Sequence, residues 1–469
     1  MRVLVLILLC ALMAAAEFRV GVARVDITPP KGAPMAGYYY NRAAEGAHDP
    51  LLATAMVIER EGVRFAIVTC DLLSMPAEIA REARERIARD PGIPATHVVV
   101  SATHTHTGPA LVAGQIRYNL TGDMLRIGKE YSAGLAARIH EAVAAAAAAL
   151  QPAKLFTARG REDSVTFNRR FWMKDGTVGW NPGKRNPNIV RSAGPIDGDL
   201  PVLYAETPDG KPIGVFVNYA LHLDTVGGTR YSRDYPYTLA RALEAARGEG
   251  LVTLFTLGCA GNLNHIDVSS ARRQSGNGEA ARIGSVLAAA VLKALGELRP
   301  VADMPIRVSS REVALPLAPF DPAELAAARA VAATFGTEKP APFLELVKAT
   351  RIVSVAERKG EPIRAQVQVL SIGRDVAFVA LPGEIFTELG LAIKLASPFA
   401  WTSVISLAND SPGYIADRKG YAQGAYEPVS SRVASGSGEI LVEAATLALI
   451  EHVRGLPADP EPVAADAGR

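Results

Sequence analysis

Residues Phe65–Pro109 read FAIVTCDLLSMPAEIAREARERIARDPGIPATHVVVSATHTHTGP. Phe65–Cys70 is a nearly continuous apolar run suited to a buried strand, and it ends at Asp71. A helical pattern follows from Pro76 to Arg89, and Val98–Val100 opens a second β-branched run. Strand, helix and strand in that order form a βαβ unit, which points to parallel strands joined by a right-handed crossover. The expected fold class is therefore α/β: a mixed, largely parallel sheet with flanking helices, with ligands bound at the C-terminal ends of the strands.

The second strand leads into Thr103-His104-Thr105-His106, stopped by Gly108-Pro109. A strand turns residues i and i+2 to one face, so the two imidazoles are expected to point the same way at the strand's mouth. Neutral imidazole is the commonest metal ligand, and such a pair is a plausible first half of a metal site. Two His hydrogen-bonded to nearby backbone in a Thr-rich turn fit the same residues. Asp71 ends the neighbouring strand at the same sheet edge, where it either orients a ligand imidazole or caps a turn.

Outward from this unit the pattern recurs. Pro201–His222 reads as a hairpin about Pro208-Asp209-Gly210 whose second strand delivers His222 at its end. Leu251–Leu257 is another buried strand, and it runs into GCAGNLNHID. There Asn262, Asn264 and His265, with two glycines, fit either an oxyanion-stabilising turn or a tight turn needing Gly and Asn for its conformation. The hairpin AQVQVLSIGRDVAFVALPGE places Glu384 just past its second strand as a further potential metal ligand. The loop Phe167–Leu200 carries Arg169, Arg170, Trp172 and Trp180 among Gly, Pro and Asn, and is expected to wall a substrate cleft. The helical segment Pro322–Glu357 has no readable role.

Composition narrows the function classes. The chain has 469 residues, 49% of them hydrophobic and 21% charged, with a net charge of +2. That balance supports a large folded domain and argues against nucleic acid as a partner. MRVLVLILLCALMAAAEF has an early Arg2, an apolar run and an A-x-A arrangement, so residues 1–16 are expected to be a cleavable signal peptide and the mature protein to be secreted or periplasmic. Residues 17–455 then form one domain and 456–469 a flexible tail. Cys70 and Cys259 follow apolar runs, and a disulfide or two buried thiols are both open.

SATHTHTGP, NYALH, CAGNLN, LPGE and YAQGAYEP, in that order, resemble the catalytic domain of the neutral (non-lysosomal) ceramidase family. GVARVDITPP, HDPLLATAMVIE and FNR fit the same resemblance. It implies one zinc ion held by His104, His222, Glu384 and Tyr426, with His106 as proton shuttle and Arg169 as a substrate or oxyanion contact. Asn264 stands where the family has a serine proposed as nucleophile, and His265 replaces a proline. An amide side chain cannot attack a carbonyl, so the attacking group would be zinc-bound water, with Asn264 stabilising the oxyanion. Asp71, Asn262 and His265 are expected to support the site or touch substrate. Glu427 is followed by Pro428 where the family has a glycine-containing stretch, and the chain ends before the family's β-sandwich domain.

The expected function is a secreted zinc-dependent amidohydrolase cleaving an N-acyl sphingosine-like bond. The alternatives are a zinc hydrolase of another amide, ester or sugar-derived substrate, or a non-catalytic binding protein on the same fold. The expected partner is a small-molecule or lipid substrate, including one held at a membrane surface, with no protein partner.

Overall fold

The computed structural model describes residues 18–112, 119–302 and 304–456. The expected signal peptide at 1–16, and the expected tail beyond Leu456, lie outside the described residues.

The main sheet contains β1 (Phe18–Asp26), β2 (Leu52–Arg60), β3 (Val63–Cys70), β4 (Val98–Ala102), β5 (Gln151–Arg161), β6 (Asp199–Glu206), β7 (Pro212–Tyr219) and β8 (Val252–Leu257). Their spatial order is β8-β7-β6-β5-β1-β2-β3-β4, and Arg299–Pro300 adds a short strand beside β5. The βαβ unit is present: β3 and β4 are parallel, joined through helix α1 (Ala77–Arg89). The largely parallel sheet is not. Only β3/β4 and β7/β8 are parallel, and every pair between them is antiparallel. Short hairpin connections such as β2–β3 and β6–β7 force antiparallel neighbours, and helical crossovers occur only towards the two edges.

The continuous apolar character of the strands has a different cause. A second sheet, β9 (Ile306–Leu315), β10 (Ile363–Ile372), β11 (Val376–Ala380) and β12 (Trp401–Ile405), packs face to face with the first. Alternate residues separate the faces: Met56, Ile58, Phe65 and Ile67 meet Leu370, Phe378, Trp401 and Ile405 between the sheets. Phe378 touches Phe216 at 5.0 Å and Trp401 at 5.3 Å between ring centroids, and burial of each such side chain contributes about 1.5–3 kcal/mol. The opposite residues, Ala55, Val57, Ala66 and Val68, pack under α1 and the helices α2 (Gly122–Ala148), α3 (Tyr235–Arg247) and α4 (Asn277–Ala294).

The outer face of the second sheet is likewise covered. Two further helices, α5 (Leu325–Ala332) and α6 (Phe343–Ala356), fall within the excursion between β9 and β10, whereas α7 (Thr387–Ala396) and α8 (Ser437–Val453) supply the cover. The result is four layers, helix, sheet, sheet and helix, and both sheets are buried on both sides. Helices α5 and α6 share a small core of their own through Ala328, Ala349 and Ile352. No helix among the described residues is long and apolar enough to cross a membrane. Cys70 and Cys259 are free, buried thiols, and burial pushes both above the ordinary thiol range.

Candidate active site

Five strand ends, those of β3, β4, β7, β8 and β11, feed loops into one place. The fold is expressed locally through backbone bonds between these loops: Thr105 bridges Leu223, Ser101 bridges Ala408, and Glu384 pairs with Tyr414. Gly37 passes over His106 at φ +103°, and a Cβ there would run into the His106 carbonyl. Arg42 holds the same carbonyl from the side at 2.9 Å.

His104 and His106 do converge, but not by strand alternation. Strand β4 stops at Ala102, and His104 adopts a left-handed backbone conformation at φ 74°. Such a conformation costs on the order of 1–3 kcal/mol and persists only where its surroundings fix it. Here His104 N–H donates to Leu72 O at 2.8 Å, and His104 Nδ1 lies 2.7 Å from Leu73 O. His222, past the end of β7, repeats the arrangement with Nδ1 2.9 Å from Ala260 O. A carbonyl only accepts, so Nδ1 carries the proton in both rings and each Nε2 keeps its lone pair.

Those lone pairs meet a carboxylate. Glu384 Oε2 is 3.3 Å from His104 Nε2 and 3.4 Å from His222 Nε2. His106 Nε2 stands 3.4 Å from His104 Nε2, and the three imidazoles form a group that could hold a metal ion. Burial, followed by Arg169 and His104, pushes His222 well below the ordinary histidine range. Burial also lowers His106, to about 4, against the pull of Asp224. Glu384 Oε2 is buried and receives no hydrogen bond.

Arg169 completes the cluster. Its Nη1 is 3.3 Å from His222 Nε2, Nη2 donates to Gly261 O at 2.7 Å and Tyr414 hydroxyl at 3.1 Å, and Nε donates to Glu427 Oε1 at 2.9 Å. Tyr414 is paired with Glu384 through the backbone, and burial together with the nearby Glu384 charge pushes its hydroxyl well above the ordinary phenol range. Tyr426 is farther out: its ring lies 5.4 Å from Tyr414 and 4.5 Å from Trp180, in an aromatic wall with Phe343.

A cavity of about 580 Å³ opens from this cluster. One wall is aromatic, with Tyr39, Trp180, Phe343 and Tyr426, and the other is polar, with Asn181, Asp224, Asn264, His265 and Gln274. The segment Pro322–Glu357, silent in the sequence, contributes Phe343 and Leu346 to the wall. The long loop Phe167–Leu200 is partly structured, its strands Arg170–Met173, Val178–Trp180 and Ile189–Ser192 forming a small sheet. It lines the cavity through Arg169, Trp180 and Asn181, whereas Trp172 stands elsewhere, beneath Arg191.

The remaining expected site residues take other places. Asp71 does not orient an imidazole, because its carboxylate accepts from Leu52 N–H and Thr103 Oγ1 at 2.9 and 3.3 Å. Burial raises it to about 6. Asn262 joins the turn to α7 instead of facing substrate, donating to Glu388 at 2.7 Å and accepting from Thr387 N–H at 2.9 Å. Asn264 lines the cavity, with its amide donating to Asn181 Oδ1 at 2.8 Å and its oxygen accepting from Ile266 N–H at 3.0 Å. His265 also lines the cavity, with Nε2 2.7 Å from Gln274 O.

Four contributors carry no role in the sequence reading: Tyr38, Asp224, Tyr414 and Glu427. Asp224 Oδ1 lies 3.5 Å from His106 Nδ1 and accepts from Tyr38 hydroxyl at 2.7 Å. Its signal was its place two residues after His222. The signal for Glu427 was Arg169-Arg170, since two adjacent cations inside a fold need a carboxylate.

A family model described as neutral/alkaline non-lysosomal ceramidase, N-terminal, matches residues 18–229. The neutral ceramidase of Pseudomonas aeruginosa is 26% identical over 285 residues, which are 55% of this chain and 40% of that protein. The neutral ceramidase of Drosophila pseudoobscura pseudoobscura is 36% identical over 118 residues, 24% of this chain and 17% of that one. These alignments therefore span less than half of either relative's length. The crystal structure of the Pseudomonas aeruginosa neutral ceramidase has the same fold, with a TM-score of 0.73 at 22% identity over 96% of this chain and 77% of that chain. A ceramidase complexed with C2 superposes with a TM-score of 0.71 at 20% identity, over 95% of this chain and 77% of that one. Over residues 18–229, and on the fold that carries the His104, His222 and Glu384 cluster, this chain matches the neutral/alkaline non-lysosomal ceramidase family.

Proposed function

We propose that this protein is a zinc-dependent hydrolase that acts outside the cytoplasm and cleaves an amide, of which an N-acyl sphingosine is the first candidate. The observation that carries the metal is Glu384 Oε2, a buried acceptor with no donor, set 3.3 and 3.4 Å from two imidazole nitrogens. Three electron-rich atoms at this spacing repel one another unless a cation stands between them. Zinc bonds of about 2.0–2.1 Å in tetrahedral geometry would put ligand atoms about 3.3–3.4 Å apart, so the residues fit the ion. His104, His222 and Glu384 would hold one zinc per chain. Tyr414 is the better fourth ligand than Tyr426, because its backbone pairs with Glu384 and its hydroxyl is held by the same Arg169 guanidinium that stands beside His222 Nε2.

When bound, the ion supplies Lewis-acid polarisation of the substrate carbonyl and lowers the pKa of water at the site. The protein's own residues do the rest. His106, backed by Asp224 and Tyr38, is placed to carry the proton from the attacking water to the leaving nitrogen, which departs as the amine while the acyl group leaves as the acid. Arg169 offers hydrogen-bond donors for the negative charge that develops on the carbonyl oxygen. Asn264 keeps an amide on the cavity wall as a second candidate donor.

A second reading has its own support. The polar wall formed by Asn181, Asp224, Asn264, His265 and Gln274 suits a more polar amide, ester or sugar-derived substrate. The test is release of fatty acid from N-acylsphingosine, and of acid from polar N-acyl amines, by zinc-loaded protein with His104→Ala as the blank. Turnover of the sphingolipid supports the first reading, and turnover of polar amides alone the second. Absence of any turnover with stoichiometric zinc bound would refute the hydrolase assignment.

A further inference from the structure

Arg169 and Arg170 are adjacent in sequence, and their side chains are 5% and 2% exposed. Both end on the one carboxylate of Glu427, which is fully buried: Arg169 Nε reaches Oε1 at 2.9 Å and Arg170 Nη1 reaches Oε2 at 2.7 Å. Arg170 is otherwise committed to the loop carrying Glu427, where its Nη2 donates to Gly420 O, Gln423 Oε1 and Gly424 O. Arg169 faces the other way, towards the metal-ligand cluster.

A guanidinium has five N–H donors in a rigid plane. On Arg169 one goes to Glu427, two on Nη2 go to Gly261 O and Tyr414 hydroxyl, and Nη1 spends one against His222 Nε2. The one left is on Nη1, the nitrogen beside His222, in a residue that lines the cavity. Its direction depends on the rotation of the plane about Nε, and the contact at Nε is Glu427.

We propose that Glu427 is a positioning residue, which fixes Arg169 so that an Nη1–H not spent on protein acceptors is aimed at the substrate carbonyl oxygen. This rests on the hydrolase reading above. Without the carboxylate, two buried cations face each other in a low-dielectric interior with nothing between them, and Arg169, then held only through Nη1 and Nη2, is the one whose displacement reaches the site.

The test is a double-mutant cycle on the zinc-loaded protein, read as kcat and KM separately. Arg169→Met is expected to lower kcat on the order of 10²-fold, as for loss of one oxyanion donor. Glu427→Gln is expected to lower kcat by roughly 10-fold or more with KM little changed, and to cost less than about 3-fold once Arg169 is already Met, because coupled residues are not additive. Glu427→Asp, which keeps the charge, is expected to recover part of the loss and serves as the second variant if the Gln protein does not fold. Equal losses in both backgrounds, or a Glu427→Gln protein with lowered thermal stability and unchanged kcat, would overturn the proposal.

Octanoate binding by calorimetry separates this proposal from the hydrolase reading. If no substrate is turned over, the hydrolase reading fails, yet weaker octanoate binding in Glu427→Gln that vanishes in the Arg169→Met background still supports the positioning role. Unchanged octanoate affinity in Glu427→Gln overturns it.

Discussion

Replacing Glu384 by Gln exchanges a carboxylate oxygen for an NH2 at the point where His104 Nε2 and His222 Nε2 stand 3.3 and 3.4 Å away. With no metal bound and at pH 8, where imidazoles are neutral, the wild-type Oε2 is a buried acceptor without a donor. The amide would donate to one or both lone pairs. One to two hydrogen bonds of about 0.5–1.5 kcal/mol each, with a buried charge removed, raise the metal-free stability by about 1–2 kcal/mol. Unfolding entropy near 2.1 cal/mol/K per residue gives a chain of this size about 1 kcal/mol per degree, so Tm rises by about 1–2 °C.

Zinc reverses the order. At a free concentration near 1,000 times Kd the wild type gains about 4 kcal/mol, or roughly 4 °C, and the variant, lacking its anionic ligand, forfeits most of that. Scanning calorimetry of both proteins in EDTA and in excess zinc should therefore show the two Tm values cross. A variant less stable than wild type in EDTA, or stabilised equally by zinc, would refute the reading of Glu384 as a carboxylate held for a cation.

Other outcomes follow from the same geometry. His222→Ala should lose zinc binding and hydrolytic activity while remaining folded, checked by metal analysis and circular dichroism; full activity would remove the metal assignment. Tyr414→Phe should weaken zinc binding, measured by chelator competition, more than Tyr426→Phe does, and the reverse order would return the fourth ligand to Tyr426. Phe343→Ala opens the aromatic wall stacked on Trp180 and Tyr426 and should raise KM for a long-chain amide several-fold with kcat little changed, an effect visible in steady-state kinetics. His452 is pushed down to about 4, first by burial, between Ser371 and Ser309. Because the unfolded chain binds that proton near pH 6.5, the stability due to neutral His452 is complete above that value and is lost as pH falls towards 4. The drop in metal-free Tm between pH 7.5 and pH 5 should be smaller in His452→Gln.

Local pattern carried much of the architecture. Runs such as Phe65–Cys70 and Val98–Val100 identify strands because β-branched, apolar side chains suit a pleated surface buried on both sides, and α1 follows from the helical pattern of Pro76–Arg89. The same runs misled on strand direction. Two-sided burial makes a strand continuously apolar whether a helix or a second sheet covers its other face, and here both are present. Strand direction is set by connections, and the connection lengths that matter join elements whose pairing partners are far apart in sequence.

At the site, the sequence by itself determined the inventory: imidazoles at 104, 106 and 222, a carboxylate at 384, guanidinium at 169 and amides at 262 and 264, each set near a strand end by Gly, Pro and turn chemistry. The tertiary structure decided which of them meet. His104 reaches the cluster through a left-handed backbone that strand periodicity does not encode. Asn262 and Asp71, at equally good strand ends, are instead taken up by Glu388, Thr387, Leu52 and Thr103. Two tyrosines twelve positions apart were equivalent as letters, and only the pairing of Glu384 with Tyr414 separates them. Glu427 is the clearest case: a carboxylate more than 250 residues from the two arginines it joins cannot be assigned to them by local chemistry, because the partner of a buried charge is chosen by packing in three dimensions.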